Sequence, residues 1–79
     1  MPNETVIAAI GSLTMAMKAR GILLSAGMAG EVISLPPEAT KRGCAWGVEF
    51  DADKEGLARR AFRSAHISVS QYLKKDALP

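Results

Sequence analysis

Runs of apolar residues predict four short β-strands in this chain. The first, Thr5 to Ile10, is apolar on both faces and β-branched at both ends, which is typical of a central strand. The second, Gly30 to Leu35, stops at two prolines, which cannot donate to a β-ladder. From Cys44 to Phe50 every second residue belongs to one apolar face, and Ile67 to Ser70 alternates over a shorter length. These two segments are the predicted third and fourth strands.

Helical periodicity appears between the strands at two places. Ser12 is a suitable N-cap for a first helix, which Gly27 would end. Its core-facing stripe consists of Met15, Ala16, Ala19, Ile22, Leu23 and Ala26. Asp51 or Asp53 can cap a second helix, which is amphipathic and basic outside. Its apolar face holds Leu57, Ala58, Ala61, Phe62 and Ala65, opposite Lys54, Arg59 and Arg63.

The first helix also carries apolar residues away from its core-facing stripe. Leu13, Met17 and Leu24 fall on one line along the far side of this helix. Single exposed apolar residues are ordinary, but three on one line indicate a contact surface. We expect this surface to bind a second copy of the chain or a partner protein.

The order of elements, β-α-β-β-α-β, predicts an α+β fold. The expected arrangement is the ferredoxin-like split β-α-β sandwich, with both helices on one face of a four-stranded antiparallel sheet. With 79 residues the chain has no room for a second core, so residues 1–79 are predicted to form a single domain. We expect the core to span about residues 5–73, with Gln71 to Pro79 as a short polar tail.

Composition and charge exclude several kinds of site. One cysteine cannot form an internal disulfide, and one Cys with one His falls short of the usual ligand set for zinc, so neither a metal nor a cofactor is expected. The apolar run at the start is too short for a signal peptide or a membrane span. We therefore expect a cytoplasmic protein that does not bind membranes. The net charge of +2 is too small to indicate nucleic acid by itself.

Cys44 is the candidate chemical group. In the predicted sheet the start of the third strand lies beside the end of the first, which places Cys44 near the amino terminus of the first helix. Free helix amides and loop cations would favour the thiolate, which is the nucleophilic form. The predicted binding residues around the thiol are Gly11, Ser12, Lys41, Arg42 and Gly43.

Each of these residues also has a structural explanation. Free cysteines are commonly buried as small hydrophobic residues, and Cys44 is predicted to share its face with Trp46, toward the helices. Lys41 and Arg42 are by default solvated loop charges. The second helix should end at the same edge, which makes His66 a candidate partner for the thiol, although a histidine there also complements the helix dipole.

Short motifs spread over most of the chain resemble a known family. They are Ser12 and Ala16 at a helix start, Leu35, Pro36 and Pro37 at a strand end, and the run from Gly43 to Val48, in which a Gly-Cys step enters an apolar strand. Together they resemble the selenium/sulfur carrier-like family of small bacterial proteins. The chain departs from the family pattern at Ala45, where the family has glycine, and at Glu38, where it often has arginine.

The resemblance implies a function for the thiol. Cys44 would carry sulfur or selenium as a persulfide or selenopersulfide, received from a donor protein and passed to an acceptor protein. Ser12 would correspond to the family's serine at the first helix start, and Gly43 and Cys44 to its thiol step. The resemblance implies a carrier rather than an enzyme.

A regulatory or small-ligand binding module is the alternative, because fold alone does not choose a function. The second face of the predicted sheet is smooth, with Ile7, Ala9, Ala45 and Gly47, and could form a dimer or hold a ligand. In that interpretation Cys44 is structural.

Nucleic-acid binding has less support. Arg59, Arg60 and Arg63 form a basic patch, which is by default a solvated helix face. Trp46 and Phe50 are expected to face the helices, so the sheet lacks the aromatic platform on which RNA bases stack. No nucleic acid is expected as a partner.

Overall fold

The structure is a computed structural model that describes residues 4–75. Its strands and helices in chain order are β1 (Thr5–Ile10), α1 (Leu13–Ser25), β2 (Glu31–Ser34), β3 (Trp46–Asp51), α2 (Glu55–Ser64) and β4 (Gln71–Lys74). Single turns of 3-10 helix follow β2 at Pro37–Ala39 and β3 at Ala52–Lys54. None of the described helices has the length and apolar composition that crossing a bilayer requires.

The strands form one antiparallel sheet in the order β2-β3-β1-β4. β1 pairs on one side with β3, from Thr5 opposite Asp51 to Ile10 opposite Trp46. On its other side β1 pairs with β4, with Ala9 opposite Gln71. This order and the two intervening helices are those of an α+β ferredoxin-like fold, as the sequence predicted.

Both helices cover one side of the sheet, here called the helix face. The sheet contributes Val6, Ala8, Ile10, Val48 and Phe50 to this core, and the helices contribute Ala16, Ala19, Leu23, Ala58 and Phe62. The rings of Phe50 and Phe62 meet edge to face with 6.4 Å between their centroids. Phe50 is buried in this core and Trp46 packs against it, so the prediction that both face the helices is confirmed.

The opposite side, here called the loop face, is covered as well. Residues 35–45, here called the covering loop, connect β2 to β3, and their Leu35 and Cys44 pack on Ile7 and Ala9 of β1. Leu35 lies so close above Gly47 that a Cβ there would stand 3.1 Å from Leu35 Cδ1. The expectation of an open second face is therefore wrong for Ile7, Ala9 and Gly47, because a loop long enough to fold back covers them.

The fourth strand is Gln71–Lys74, so its predicted position at Ile67 to Ser70 is wrong. Both segments alternate, and the sequence pattern alone did not separate them. Tyr72 packs against the helix-face core and Leu73 against the loop-face cluster, so β4 also has two apolar faces. Residues 71–74 are consequently not part of a tail, and residues 76–79 lie outside the described residues.

The two α-helices begin in different ways. Ser12 caps α1, and its hydroxyl accepts a hydrogen bond from the Met15 amide at 3.2 Å, as predicted. α2 is entered through the 3-10 turn after β3, and neither Asp51 nor the N-cap residue Lys54 makes a side-chain capping bond. The prediction that Asp51 or Asp53 caps α2 is wrong, because that turn contains Asp53, follows Asp51 and leaves Lys54 at the N-cap position.

Candidate functional site

Cys44 lies at the end of the covering loop, two residues before β3 begins. It is 8% exposed and belongs to the apolar cluster on the loop face. The prediction that Cys44 opens β3 and shares the face of Trp46 is therefore wrong. The Ala45 carbonyl still accepts from the Leu35 amide at 2.7 Å, whereas the Cys44 amide bonds to a side chain within the loop. The alternation of the strand therefore does not extend back to Cys44.

A tight turn holds the backbone of Cys44. The Gly43 amide donates to the Thr40 carbonyl at 3.3 Å, which places Lys41 and Arg42 at the corners of a four-residue turn. Thr40 is buried, and its hydroxyl oxygen accepts from the Cys44 amide at 2.7 Å. Gly43 has a φ of +65°, a conformation that glycine adopts without strain. The turn therefore fixes the direction in which the Cys44 side chain leaves the loop.

The thiol has a hydroxyl partner. Cys44 Sγ lies 3.1 Å from Ser70 Oγ, and Ser70 Oγ in turn donates to the Ala9 carbonyl at 3.3 Å. A serine hydroxyl has one hydrogen and can accept while it donates, so the neutral thiol can donate to Ser70. If the thiol ionises, rotation of the same hydroxyl can provide a donor to the sulfur. Ser70 can thus hydrogen-bond to both protonation states.

Cys44 also borders a cleft of about 400 Å³. The residues that line it are Gly11, Arg42, Cys44, Ser68, Val69 and Ser70. These residues come from the end of β1, the covering loop and the segment before β4. Cys44 therefore lies between the apolar cluster of the loop face and a cleft that one arginine and two serines also line.

The structure brings together three of the residues that the sequence indicated: Gly11, Arg42 and Cys44. Ser12, Lys41 and Gly43, which were also predicted to bind, are not among the lining residues. The Ser12 hydroxyl is occupied in capping α1, and Lys41 contributes its backbone amide, which donates to Gln71 Oε1 at 3.0 Å. That bond links the covering loop to β4.

His66 follows α2 and is exposed, with a φ of +59°. Its amide donates to the Arg63 carbonyl at 3.1 Å, which is part of the helix ending. His66 does not line the cleft, and the side chain hydrogen-bonded to the Cys44 sulfur is Ser70. A role for His66 stays a prediction.

Sequence reasoning missed Thr40, Ser68 and Ser70. The two serines alternate with apolar residues in the segment that was interpreted as a strand, so their spacing was visible but their place beside Cys44 was not. Thr40 stands four residues before Cys44, a spacing that carries no distinct signal until the turn is known.

Within the basic patch on α2, Arg59 contacts two neighbouring side chains. Arg59 forms an ion pair with Glu55, with 2.6 Å between Nη2 and Oε2, and its guanidinium carbon lies 3.9 Å from the centroid of the Tyr72 ring. Burial raises the pKa of Tyr72 above its ordinary value of 10.0, and the charge of Arg59 opposes this shift. Within the described range, no group of three or more His, Cys, Asp or Glu side chains is arranged to hold a metal ion.

Fold and site together define a small α+β domain in which the single cysteine borders a cleft that Arg42 also lines. A family model with the description "Putative Se/S carrier protein-like" matches residues 5–74, and the chain belongs to this family. Searches of the curated proteins and of the solved structures gave no match. The family name indicates a selenium or sulfur carrier, and a carrier has to contact other proteins.

Proposed function

We propose that this protein carries sulfur or selenium on Cys44 as a persulfide or selenopersulfide, in transit between a donor and an acceptor protein of the cytoplasm. The observation that carries the proposal is the position of the sulfur, at the wall of a cleft that also contains Arg42. Family membership supports the same function.

The transfer steps balance without an added oxidant or reductant. The Cys44 thiolate attacks the outer sulfur of a donor persulfide, forms the new S–S bond and breaks the old one. The donor leaves as a thiolate and takes up the proton that the Cys44 thiol released when it ionised. An acceptor thiolate then attacks the outer sulfur on Cys44, which leaves the Cys44 thiolate as it was at the start. The same two steps apply when the outer atom is selenium.

Arg42 and Ser70 support different parts of these steps. A persulfide or selenopersulfide is anionic at its outer atom, and Arg42, which lines the same cleft as Cys44, is the cation available to pair with it. Ser70, at 3.1 Å from Sγ, can donate to the sulfur when it is a thiolate, both before loading and after release. Gly11 leaves room for the outer atom, since a Cβ there would have no neighbour within 4 Å.

The low exposure of Cys44 has a use in this function. At 8% exposure the thiol is reached through the cleft rather than from open solvent. Persulfides react readily with other thiols, so a partly enclosed site limits loss of the cargo to small thiols. A partner protein must then either insert its reactive sulfur into the cleft or displace the covering loop.

The experiment is loading followed by transfer. The protein is incubated with a cysteine desulfurase and cysteine, and its intact mass is measured before and after addition of a reductant. We expect a gain of one sulfur atom that the reductant reverses and that Cys44→Ser abolishes. In parallel, the rate of Cys44 alkylation is measured against pH in folded protein. A thiol that is alkylated only after unfolding would refute the proposal.

A matched variant separates the site from the mere presence of a thiol. Ala45 is exposed and adjacent, so Cys44→Ser combined with Ala45→Cys moves the only thiol out of the cleft by one residue. We expect this variant to be persulfidated but to lose the cargo faster to glutathione. Arg42→Gln should slow loading of the native thiol by several-fold. Equal retention by the displaced thiol would show that the cleft has no part in carriage.

The alternative, a ligand-binding module that uses an open sheet face, loses its main support. Ile7, Ala9 and Gly47 are buried by the chain's own covering loop. The line of Leu13, Met17 and Leu24 does remain exposed. It supports a protein contact rather than a metabolite site.

A further inference from the structure

The side of α1 that faces away from the core carries four residues in one row, here called the α1 seam: Leu13, Met17, Arg20 and Leu24. Leu13, Met17 and Leu24 are 42%, 60% and 66% exposed. The core-facing side of the same helix is occupied by Ala16, Ala19 and Leu23, which are fully buried. The seam therefore contributes nothing to the described core, although it holds three of the large apolar side chains of the helix.

We propose that the α1 seam is the interface of a two-fold symmetric homodimer, in which the two α1 helices pack antiparallel. The seam residues are separated by four, three and four positions, which is the heptad spacing of packed helix pairs. This sequence of steps is the same in either direction. A two-fold rotation therefore superimposes the row on itself and brings Leu13 to Leu24 of the second copy.

Self-complementarity extends to the chemistry of the row. Its two ends are leucines, so the rotation pairs an apolar end with an apolar end. In the centre Met17 meets Arg20 of the second copy, where the flexible thioether can pack on the aliphatic stem of the arginine. Each Arg20 guanidinium is directed to its own chain, since Nε donates to the Gly30 carbonyl at 3.0 Å. An interface of this kind is isologous, the commonest type in soluble oligomers.

Gly21 beside the seam supports close approach of another helix. A glycine inside a helix costs about 0.5–1 kcal/mol relative to alanine. Nothing in the described chain requires it, because a Cβ at Gly21 would have no neighbour within 4 Å. The missing side chain leaves space for the larger seam residues of a second copy.

The edge of the sheet next to the seam is shaped and charged for the same contact. A groove of about 460 Å³ between α1 and β2 is lined by Met17, Arg20, Glu31 and Val32. Its rim carries one cation and one carboxylate, so two copies can meet there without net repulsion. The proposed interface is on the helix side of the molecule, whereas Cys44 packs on the loop face, so a dimer would leave both thiols accessible. The inference is thus independent of the carrier function.

The first test is the mass of the protein in solution over a range of concentrations, by analytical ultracentrifugation. A seam with only three large apolar residues gives a small interface, so we expect a reversible dimer of twice the 8.4 kDa chain that dissociates on dilution. Met17→Glu should weaken the dimer at least about tenfold, because it places a charge in the centre of the seam. Lys18→Glu is the matched control: it changes the charge more, but on the side of α1 away from the seam, and should leave the dimer intact.

The second test uses cross-linking to determine whether the two α1 helices are antiparallel. In a Cys44→Ser background, Leu13→Cys and Leu24→Cys proteins are treated with a short bismaleimide, separately and as a mixture. Two copies of residue 13 would lie about 16 Å apart along the helix pair, at 1.5 Å per residue, beyond the reach of the reagent. We expect cross-linked dimers in the mixture alone. A protein that stays monomeric at every concentration, a dimer that Met17→Glu leaves unchanged, or cross-links within a single variant would each overturn the proposal.

Discussion

The two faces of the sheet are both buried, but different kinds of structure cover them. On the helix face, two regular helices place buried side chains over the sheet, and their backbone groups are largely paired within the helices themselves. On the loop face, the covering loop lies over the sheet and is held by a small number of long-range bonds. Among these are the bond from Lys41 to Gln71 and the one between Cys44 and Ser70.

This difference indicates that the two faces of the 79-residue chain differ in how easily they open. A layer of helices opens only with global unfolding, whereas a loop held by single hydrogen bonds can open locally at much lower free energy. The only cysteine is on the side that can open. A thiol that exchanges sulfur or selenium with partner proteins, as proposed for Cys44, is better placed there than under α1 or α2.

The largest expected effect compares two buried leucines, one on each face. Leu23, on the core-facing side of α1, is 0% exposed, and Leu35, in the covering loop, is 4% exposed. We expect Leu23→Ala to lower the free energy of unfolding by about 3–4 kcal/mol, because the helix layer cannot close the cavity. Leu35→Ala should cost only about 2 kcal/mol, because the loop can settle onto the sheet. Urea unfolding followed by the fluorescence of Trp46, the single tryptophan, measures both values.

The variants Leu23→Ala and Leu35→Ala should also differ in the rate at which Cys44 is alkylated. Leu35→Ala loosens the covering loop, so Cys44 of this folded variant should be alkylated faster than Cys44 of the unchanged protein. Leu23→Ala, measured under conditions in which it is still folded, should change the alkylation rate little. If both variants lose equal stability and gain equal reactivity, the two faces open together and the comparison fails.

A smaller effect distinguishes two glycines of the loop face. A Cβ at Gly47 would stand 2.7 Å from Ile7 Cγ2 and 3.0 Å from the Ala8 carbonyl oxygen, so Gly47→Ala should cost about 2 kcal/mol through overpacking. Gly43 has open space but a φ of +65°, so Gly43→Ala should cost about 1 kcal/mol through backbone strain alone. Gly43→Asn, which tolerates this conformation better, should recover part of the loss. Thermal unfolding of the three variants tests the ranking, and recovery at position 43 is the decisive outcome.

The bond that links the covering loop to β4 should matter locally rather than globally. Gln71→Ala removes the acceptor of the Lys41 amide and should lower stability by about 0.5–1 kcal/mol, since the bond is exposed. The alkylation rate of Cys44 should rise by a larger factor than this stability loss implies. Gln71→Glu keeps an acceptor oxygen and is the control. An unchanged alkylation rate in Gln71→Ala would mean that this bond does not hold the loop closed.

The smallest effect concerns Tyr72, on the helix face. Burial raises its pKa above 10.0, so the folded protein binds the phenolic proton more tightly than the unfolded chain does. The resulting stabilisation is fully present below pH 10 and is lost as the pH rises through the folded pKa. Because Tyr72 is the single tyrosine, the ultraviolet absorbance of tyrosinate reports this residue alone. A midpoint at or below the value found in denaturant would contradict the expected direction.

Regular elements with strong patterns were predictable from the sequence. The bounds of β1, the Ser12 cap and the burial of Phe50 all follow from local chemistry and periodicity. β4 was placed four residues too early, because two consecutive segments alternate and only pairing with β1 decides between them. Such pairing is a long-range property that no local pattern contains.

Two residues of the candidate site, Cys44 and Arg42, were predictable from the sequence, but the orientation of the thiol was not. The sequence pointed to Cys44 and Arg42, yet it assigned the thiol to the wrong face by extending the strand alternation into the loop. The buried Thr40, which binds the Cys44 amide, and the Ser70 hydroxyl at the sulfur belong to a loop and to a connecting segment. Their positions depend on how the covering loop folds back, which periodicity does not describe.

The two outer strands of the sheet have a consequence for the behaviour of the protein at high concentration. Each is only four residues long, β2 begins with the carboxylate of Glu31, and β4 ends with the ammonium group of Lys74. Short edge strands with a charged residue at one end offer few unpaired backbone groups to which a strand of another molecule could bind. Fibrillar growth by strand addition is thereby disfavoured, even though the central strands β1 and β3 are rich in buried apolar residues.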